Sequence, residues 1–301
     1  MQYEVIIVGG GVAGCSAALV LGRCRRRLLV CDDGRPRNAV ARGVHGYLTR
    51  DGVPPHEFLR LAREEVLQYP TVQWRNGRVK AAARVAGGFE VTLPDDTVAT
   101  ARKLLLATGL VDELPEIDGF HRFWGHSVFT CPFCDAWEVR DQRFVVLGRE
   151  PGLAGFALEL RQWAAELTIC TDGAHPLDEA QRNLFQRLGI EVIDTPVAAL
   201  EGTDQQLERL RFVDGQTLEA RVLFVATSQR QHSPLARQLD CAVDEEGVVK
   251  VCTETCAAGD GVWIAGNAST GLQMAIIAAA EGLKAAHAIN ERLVEEDVAG
   301  A

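Results

Sequence analysis

Short apolar runs alternate with amphipathic segments along the chain, and this alternation predicts parallel strands joined by helices. The apolar run at 4–9 leads into a small-residue segment that opens an amphipathic helix, and a second apolar run follows at 27–32. A strand, a helix and a second strand within about 30 residues form a βαβ unit, whose two strands are parallel. The chain therefore begins with an α/β sheet.

The same order of elements returns later in the chain. A strand pattern at 143–148 is followed by a helical pattern from Pro151 to about Glu166 and by a third apolar run at 167–170. A hairpin is predicted around Asp214 and Gly215, where turn residues separate two short strand patterns. The second unit thus repeats the first and predicts a second domain.

The predicted fold class is α/β, with two dinucleotide-binding, Rossmann-like three-layer domains, the second inserted in the first. The first domain is assigned residues 1–116 plus 237–301, and the second domain residues 117–236. An alanine-rich helix, predicted from Gln273 to about Asn290, ends the first domain.

A glycine-rich turn stands between the first strand and its helix. Gly9, Gly11 and Gly14 have the spacing Gly-x-Gly-x-x-Gly, and Asp32 ends the next strand. The first glycine of such a motif makes a tight turn, the second lets backbone approach a pyrophosphate, and the third lets the helix pack on the strand. The helix N-terminus then faces the phosphates. This register predicts a dinucleotide site with Asp32 on the adenosine ribose, although the motif alone does not separate FAD from NAD.

Charge and hydropathy exclude several classes of protein. Lys and Arg number 31 against 41 Asp and Glu, a net charge of -10, and such a surface repels phosphate backbones and anionic lipid. No stretch approaches the roughly 18 apolar residues of a membrane-spanning helix. The start of the chain lacks the basic flank and cleavage pattern of a signal peptide. We expect a cytoplasmic protein that binds neither nucleic acid nor membrane.

Two of the nine cysteines form a close pair, Cys131 and Cys134. In a reducing compartment such a pair indicates redox or metal chemistry. A structural zinc site would need two more ligands, and the only nearby alternative is the looser pair Cys252 and Cys256. Redox chemistry is favoured and no metal site is predicted, with zinc and inert buried cysteines left as alternatives. The other seven cysteines are interpreted as small core residues.

Two further segments complete a resemblance to a known family. Ala107-Thr108-Gly109 follows a strand, and Gly266-Asn267 precedes the alanine-rich helix. With the glycine turn and the cysteine pair, they resemble the low-molecular-weight thioredoxin reductase family over essentially the whole chain. The family usually has Asp where Asn267 stands, although Asn can still donate and accept hydrogen bonds. The resemblance implies FAD and assigns these residues to cofactor binding: Gly9, Gly11, Ala13, Gly14, Asp32, Asp33, Arg37, Asn38, His45, Thr108, Gly109, Gly266, Asn267, Gln273, Met274 and Ala275. For His45, a loop hydrogen bond is the alternative.

The same resemblance implies roles for the cysteine pair. Cys134 would be the flavin-facing thiol, Cys131 the thiol that exchanges with the substrate, and Asp135 the acid/base. Thiol exchange needs a thiolate and a protonated leaving group, so an adjacent carboxyl suits the chemistry. The alternative for Asp135 is a charge that stabilises a helix N-terminus.

The second domain lacks the sequence features of an NADPH site. Glu150 stands where its turn would have the second glycine, and Pro151 follows. Residues 117–236 carry 11 arginines and no lysine against 17 acidic residues, which is poor ground for a cofactor with an extra phosphate. We expect a scaffold that retains its shape without its nucleotide chemistry. Arg149 alone keeps an altered nicotinamide site open.

A redox pair without NADPH motifs resembles the dithiol oxidases of the gliotoxin and holomycin type, which pass electrons from a dithiol to oxygen. Those relatives typically carry His after the second cysteine, where Asp135 matches the reductases. The leading hypothesis is an FAD-dependent thiol–disulfide oxidoreductase that is not driven by NADPH and uses oxygen as acceptor. The alternatives are an NADPH-dependent thioredoxin reductase and a dinucleotide-binding sensor without turnover. The expected partner is a dithiol or disulfide, in a small molecule or a thioredoxin-like protein, and the resemblance implies a homodimer.

Overall fold

The computed structural model describes residues 1–244, 247–269 and 271–300. The chain divides into two compact units. Unit 1 comprises Met1–Ala39, Gly46–Val111 and Gln229–Ala301, and unit 2 comprises Val40–His45 and Asp112–Ser228. The predicted α/β class with two Rossmann-like domains is confirmed, because each unit contains a parallel sheet flanked by helices.

Unit 1 is built on a mainly parallel sheet with helices on both faces. Numbered in chain order, its elements are β1 (Tyr3–Val8), α1 (Val12–Arg23), β2 (Leu28–Asp32), α2 (Pro55–Leu67), β3 (Val72–Asn76), β4 (Ala81–Val85), β5 (Gly88–Thr92), β6 (Val98–Leu106), α7 (Leu235–Gln238), β17 (Ala257–Gly259), β18 (Val262–Ile264), a 3₁₀ turn (Gly266–Ala268) and α8 (Ala275–Ala299). The strand order is β17-β18-β6-β1-β2-β3, and the antiparallel hairpin β4–β5 joins the sheet through β6.

The two faces of this sheet bury separate apolar clusters. Residues on one face, among them Ile7 and Leu105, pack with α1 and α8, and residues on the other face, among them Leu104, pack with the hairpin and α7. The near-continuous apolar sequence of β1 follows from burial on both faces, as is typical of central parallel strands.

Unit 2 contains a second parallel sheet and a smaller antiparallel one. Its elements are α3 (Phe120–Phe123), β8 (Val128–Phe129), α4 (Pro132–Asp135), β9 (Arg143–Leu147), α5 (Leu153–Leu160), β10 (Glu166–Cys170), α6 (Glu179–Arg187), β11 (Glu191–Ile193), β12 (Val197–Thr203), β13 (Gln206–Phe212), β14 (Thr217–Glu219) and β15 (Val222–Val225). The parallel order is β11-β10-β9-β15-β8, and β12-β13-β14 are antiparallel. The predicted hairpin at Asp214–Gly215 joins β13 to β14. The strands β7 (Leu110–Glu113) and β16 (Ser228–Gln231), where the chain passes between the units, pair with each other.

Two predicted helices have different lengths in the structure. The helix predicted from Pro151 to Glu166 spans only Leu153–Leu160, because the chain turns back there: Ala165 donates a backbone hydrogen bond to Gln142 and Glu166 already begins β10. The helix predicted to end near Asn290 continues to Ala299. Its last turns are held by Leu293, which is fully buried, and by ion pairs from Glu296 and Asp297.

The unit boundaries differ by a few residues from the predicted domains. Residues 229–236, predicted in the second domain, lie in unit 1, where Leu235 is buried beside Ala82 and the Gln238 side chain accepts the Ala82 N–H at 3.1 Å. Residues Val40–His45 and 112–116, predicted in the first domain, lie in unit 2. No helix among the described residues is long and apolar enough to cross a membrane.

We expect Phe224→Ala to destabilise unit 2. The Phe224 ring is fully buried, with Phe144 and Phe129 ring centroids at 5.1 and 5.6 Å, so its removal leaves a cavity that costs about 3–5 kcal/mol. Denaturant unfolding of the full chain measures this loss. Val213→Ala, at a side chain that is 63% exposed, is the matched control and should change the free energy of unfolding by less than about 0.5 kcal/mol. Equal effects of the two substitutions would contradict this packing.

Candidate functional site

The glycine turn after β1 brings backbone into direct contact with the end of β6. Gly9 has φ +107°, and a Cβ at this position would lie 2.1 Å from the Ala107 carbonyl oxygen. A Cβ on Gly14 would lie 1.8 Å from the Gly9 oxygen, whereas a Cβ on Gly11 would meet nothing within 4 Å. Two glycines therefore close the turn on the sheet, and the third leaves an open backbone face at the start of α1. This geometry fits a dinucleotide phosphate cradle.

Asp32, at the end of β2, is tied to this turn. Its Oδ1 accepts a hydrogen bond from the Gly10 N–H at 2.9 Å. The Trp74 indole packs against Gly10, since a Cβ on Gly10 would lie 2.5 Å from the indole ring. The carboxylate is thus fixed beside the glycine turn, and its role on a ribose stays a prediction.

A cleft joins three of the residues assigned to the cofactor. Gly9, Asp33 and Thr108 line it together with Arg78 and His232. Asp33 pairs with the Arg78 guanidinium at 3.1 Å and lies 3.9 Å from the His232 ring, and Arg78 also contacts that ring. Arg78 and His232 were missed by the sequence analysis, because nothing local in their segments marks them and only the fold brings them to Asp33.

The segment at Gly266 and Asn267 is held by a carboxylate from α8. The segment forms the 3₁₀ turn, with Gly266 at φ +76°. Glu281 accepts the Gly266 N–H at 2.7 Å and contacts the Ser269 hydroxyl at 3.3 Å. Glu281 was also missed, although it is the only acidic residue between 275 and 290, and a lone acid in an apolar helix is a usable signal.

The remaining assigned residues of unit 1 surround these segments. Arg37 donates a hydrogen bond to Gln273, which in turn donates to Gln229 at 2.7 Å. Met274 is the N-cap residue of α8, so the helix begins at Ala275. A Cβ on Gly266 would lie 2.9 Å from the Ala13 methyl group, which places Ala13 against the 3₁₀ turn. Gly109 has φ +69° directly after Thr108, and Asn38 lies half-buried in a turn.

Cys131 and Cys134 form a disulfide in unit 2, with their Cα atoms 5.2 Å apart. Cys131 is the N-cap residue of α4, and Pro132 takes the first helical position, where its missing N–H costs nothing. Both cysteines are half-buried, whereas Phe133 between them is 51% exposed and Trp137 is 62% exposed. The disulfide therefore lies in a half-buried segment with exposed aromatic side chains next to it in the sequence.

Asp135 follows directly and is held in a partly apolar setting. Burial raises its pKa from 3.8 to about 6, and the nearby Glu138 adds to the rise, whereas His45 and Arg42 oppose it. The His45 ring lies 3.5 Å from the Glu138 carboxylate. A carboxyl with this pKa exists in both protonation states near neutral pH, as a proton-transfer group requires.

His45 lies in unit 2 beside Glu138, whereas the resemblance implies a place at the cofactor. It was assigned to the cofactor, yet its segment belongs to unit 2 and its ring faces Glu138. The assignment to cofactor binding stays a prediction. Arg42 and Glu138, which surround Asp135 with His45, were not identified from the sequence, because they become neighbours only when Val40–His45 joins this unit.

The turn after β9 is closed by side chains. Arg149 donates to the Asp172 carboxylate at 2.6 and 2.9 Å, and Asp172, just after β10, is buried and also accepts the Val197 N–H at 2.7 Å. An acid after the second strand of a βαβ unit is the group that would hold a ribose. Here the carboxylate of that acid, Asp172, already accepts hydrogen bonds from Arg149 and from the Val197 N–H. Glu150 adds an exposed negative charge.

Seven cysteines are free in the structure, and two of them differ from the prediction. Cys24 and Cys252 are exposed rather than core residues. Cys24 is the C-cap residue of α1, and Cys252 begins a surface turn. Among the described residues, no group of three or more His, Cys, Asp or Glu side chains is arranged to hold a metal ion.

Comparison with known proteins gives a consistent result. The sequence model of the "Pyridine nucleotide-disulphide oxidoreductase" family matches residues 3–282. A "Probable thioredoxin reductase" of Arthroderma benhamiae is 29% identical over 98% of this chain and 81% of its own length. Thioredoxin reductase sirT of Leptosphaeria maculans is 26% identical over 99% of this chain and 96% of its own. The crystal structure of HlmI superposes with a TM-score of 0.94 at 32% identity, covering 99% of this chain and 95% of that one.

The charges around Asp135 predict opposite effects of two substitutions. Glu138→Gln should lower the pKa of Asp135, because it removes a negative neighbour, and Arg42→Gln should raise it. Carboxyl ¹³C NMR of the oxidised protein measures both shifts directly. Glu179→Gln, at an exposed residue of α6, is the control and should leave the titration unchanged.

The same pKa fixes the sign of a stability effect. The pKa of Asp135 is about 6 in the folded protein and 3.8 in its ordinary state. The stability that protonated Asp135 contributes is therefore fully present below pH 3.8 and is lost as the pH rises through about 6. Asp135→Asn should remove this component of the pH dependence of unfolding. A wild-type carboxyl that titrates near 4 would contradict the burial of Asp135.

Proposed function

The chain is a thioredoxin reductase-like member of the pyridine nucleotide-disulphide oxidoreductase family and an oxidoreductase enzyme, and on this premise we propose that it is an FAD-dependent thiol–disulfide oxidoreductase that is not driven by NADPH. Its substrate would be a dithiol, oxidised at the Cys131–Cys134 pair, with oxygen as the final acceptor. The observation that carries the proposal is the Arg149–Asp172 ion pair, in the same unit as the Cys131–Cys134 disulfide.

The residues of unit 1 fit FAD as the bound dinucleotide. The open backbone at Gly11 would receive the pyrophosphate, Asp32 the adenosine ribose, and the segments at Thr108 and Gly266 the rest of the cofactor. FAD, when bound, supplies a two-electron acceptor that the side chains of the protein lack.

The cysteine pair can carry out the exchange step with the substrate. A substrate thiolate attacks the Cys131 sulfur, the Cys131–Cys134 bond breaks, and Cys134 leaves as a thiolate. The second substrate thiol then attacks the mixed disulfide and releases Cys131, so the substrate gains one disulfide and the protein two thiols. Asp135, beside Cys134 in the chain, would accept and return the protons.

Electrostatics supports the absence of a nicotinamide donor. In unit 2 the acid available for a ribose, Asp172, is buried and already bound to Arg149. Arg149 is thereby also withdrawn from a nucleotide phosphate, and the carboxylate of Glu150 would repel one. The electron pair then has to enter through a thiol, which favours the oxidase direction.

The alternative is an NADPH-dependent thioredoxin reductase with a divergent nicotinamide site. Asp135 after the second cysteine and the names of the relatives favour it. A sensor without turnover is not supported, because the family consists of oxidoreductases. The exposed Phe133 and Trp137 beside the disulfide suit either a small apolar dithiol or a thioredoxin-like protein. A homodimer and a cytoplasmic location stay expectations.

The proposal predicts which donor bleaches the flavin of the purified holoprotein under anaerobic conditions. A small dithiol such as dithiothreitol should bleach it, and excess NADPH should not. Cys134→Ser should abolish bleaching by the dithiol, while Cys24→Ser, at an exposed cysteine of unit 1, should leave it unchanged. Rapid bleaching by NADPH would replace the proposal with the reductase alternative.

A second prediction concerns Arg149. If its ion pair with Asp172 closes the nucleotide edge, titration with NADPH should give no saturable binding in the wild type or in Arg149→Gln. Arg221→Gln, at another arginine of unit 2, is the charge-matched control. Wild-type binding that is weakened only by Arg149→Gln would mean that this arginine holds the cofactor phosphate instead.

A further inference from the structure

A second pair of cysteines lies at the two ends of one surface turn in unit 1. The Cys256 N–H donates to the Cys252 carbonyl at 2.7 Å, and the Cys252 N–H donates to the Ala257 carbonyl at 2.9 Å. A backbone hydrogen bond from residue i+4 to residue i closes an α-turn and holds its two ends close together. A disulfide spans roughly 4.4–6.8 Å between Cα atoms, and we expect the two ends of this turn to come within that range.

Cys252 has the surroundings of a reactive thiol. It is exposed, and hydrogen bonds from the Thr255 side chain and from the backbone of Thr255 and Glu254 hold the pKa of its thiol below the ordinary value. Donors directed at a sulfur stabilise the thiolate, which is the nucleophilic form. The turn therefore presents to solvent an exposed thiol whose thiolate form is stabilised.

Cys256 differs from Cys252 in its exposure and in the direction of its pKa shift. It is buried, and burial raises the pKa of its thiol to about 11. Its sulfur donates to the Glu281 carbonyl at 3.6 Å. It also adopts φ +60°, a left-handed conformation that glycine or asparagine normally supplies at the end of such a turn. A residue kept in an unfavourable conformation points to a functional constraint, and here that residue is a cysteine in the same turn as Cys252.

We propose that Cys252 and Cys256 form a second redox-active thiol pair, which reacts with low-molecular-weight disulfides independently of the Cys131–Cys134 pair. Cys252 attacks the small disulfide, whose S–S bond breaks as one thiolate leaves, and a mixed disulfide forms on Cys252. Cys256 then loses its proton to that thiolate and attacks the Cys252 sulfur, and the second half of the small disulfide leaves as a thiolate that takes a proton from water. The small disulfide is reduced to two thiols, and the turn gains one disulfide.

Hydrogen bonds connect the turn that carries the pair to the 3₁₀ turn of unit 1. The Cys256 carbonyl accepts the Ile264 N–H at 2.9 Å, just before Gly266, and the Cys256 thiol contacts the backbone of Glu281, whose carboxylate holds the Gly266 N–H. Bonding Cys256 to Cys252 would withdraw the thiol from Glu281. Oxidation of the turn is thereby linked to the segment of Asn267, whether or not the proposed dithiol oxidation occurs.

The test uses the full-length holoprotein and hydroxyethyl disulfide as the probe. Cleavage after Lys250 and Lys284 releases residues 251–284, which contain these two cysteines and no other. After treatment and alkylation, mass spectrometry should show this peptide two hydrogens lighter and unalkylated. A peptide alkylated at both cysteines, or one that keeps the probe on Cys252, would overturn the proposal.

Three variants separate the two roles. Cys256→Ser should stop the reaction at the mixed disulfide on Cys252, and Cys252→Ser should leave Cys256 reduced. Thr255→Val, which removes one donor to the sulfur, should slow the first step by about 3-fold and still give the intramolecular bond. Cys256→Ala repeats the first test without a hydroxyl, in case serine disturbs the turn. Accumulation of a mixed disulfide on Cys256 instead would contradict the assignment of Cys252 as the attacking thiol.

Discussion

Contact between the backbone of the glycine turn and the end of β6 is the constraint on which unit 1 depends. The approach of Gly9 to Ala107, and of Gly14 to Gly9, leaves no space for a side chain. It sets α1 close to the sheet, and α8 follows, because a Cβ on Gly282 would lie 2.1 Å from the Ala13 carbonyl. The 3₁₀ turn that precedes α8 is thereby carried to the same end of the sheet.

Unit 2 repeats this βαβ geometry with different contents. Gly148 retains the position after β9, where a Cβ would meet only the Leu153 and Ala226 side chains at 3.0 and 3.1 Å. The next residues are Arg149, whose guanidinium pairs with Asp172, and the exposed Glu150. The charge of Arg149 is balanced within unit 2 by Asp172. Under the proposed function, this ion pair accounts for a fold that is retained without nicotinamide binding.

Those features of the fold and site that depend on neighbouring residues could be predicted from the sequence. The glycine turn, the cysteine pair and the strands are local patterns, so their positions followed from spacing alone. The predicted C-terminal end of α5 was wrong. The turn that leads to β10 is fixed by backbone hydrogen bonds from Ala165 to Gln142 and from Asp141 to Trp163, which join segments about 20 residues apart in the sequence. Arg42, Glu138 and His232 were missed for the same reason, and Cys24 and Cys252 were wrongly placed in the core because cysteine is usually buried.

The acid beside the cysteine pair need not decide the direction of the reaction. Asp135 matches the reductases in identity, yet with a pKa of about 6 it exists in both forms near neutral pH. A group in that range can give a proton to a leaving thiolate or take one from an attacking thiol. Under the proposed function, the direction of electron flow is set by which donor reaches the protein, and Arg149 and Asp172 are the side chains that decide this. In that proposal, a reductase-like acid and a second unit without nicotinamide binding are compatible in one enzyme.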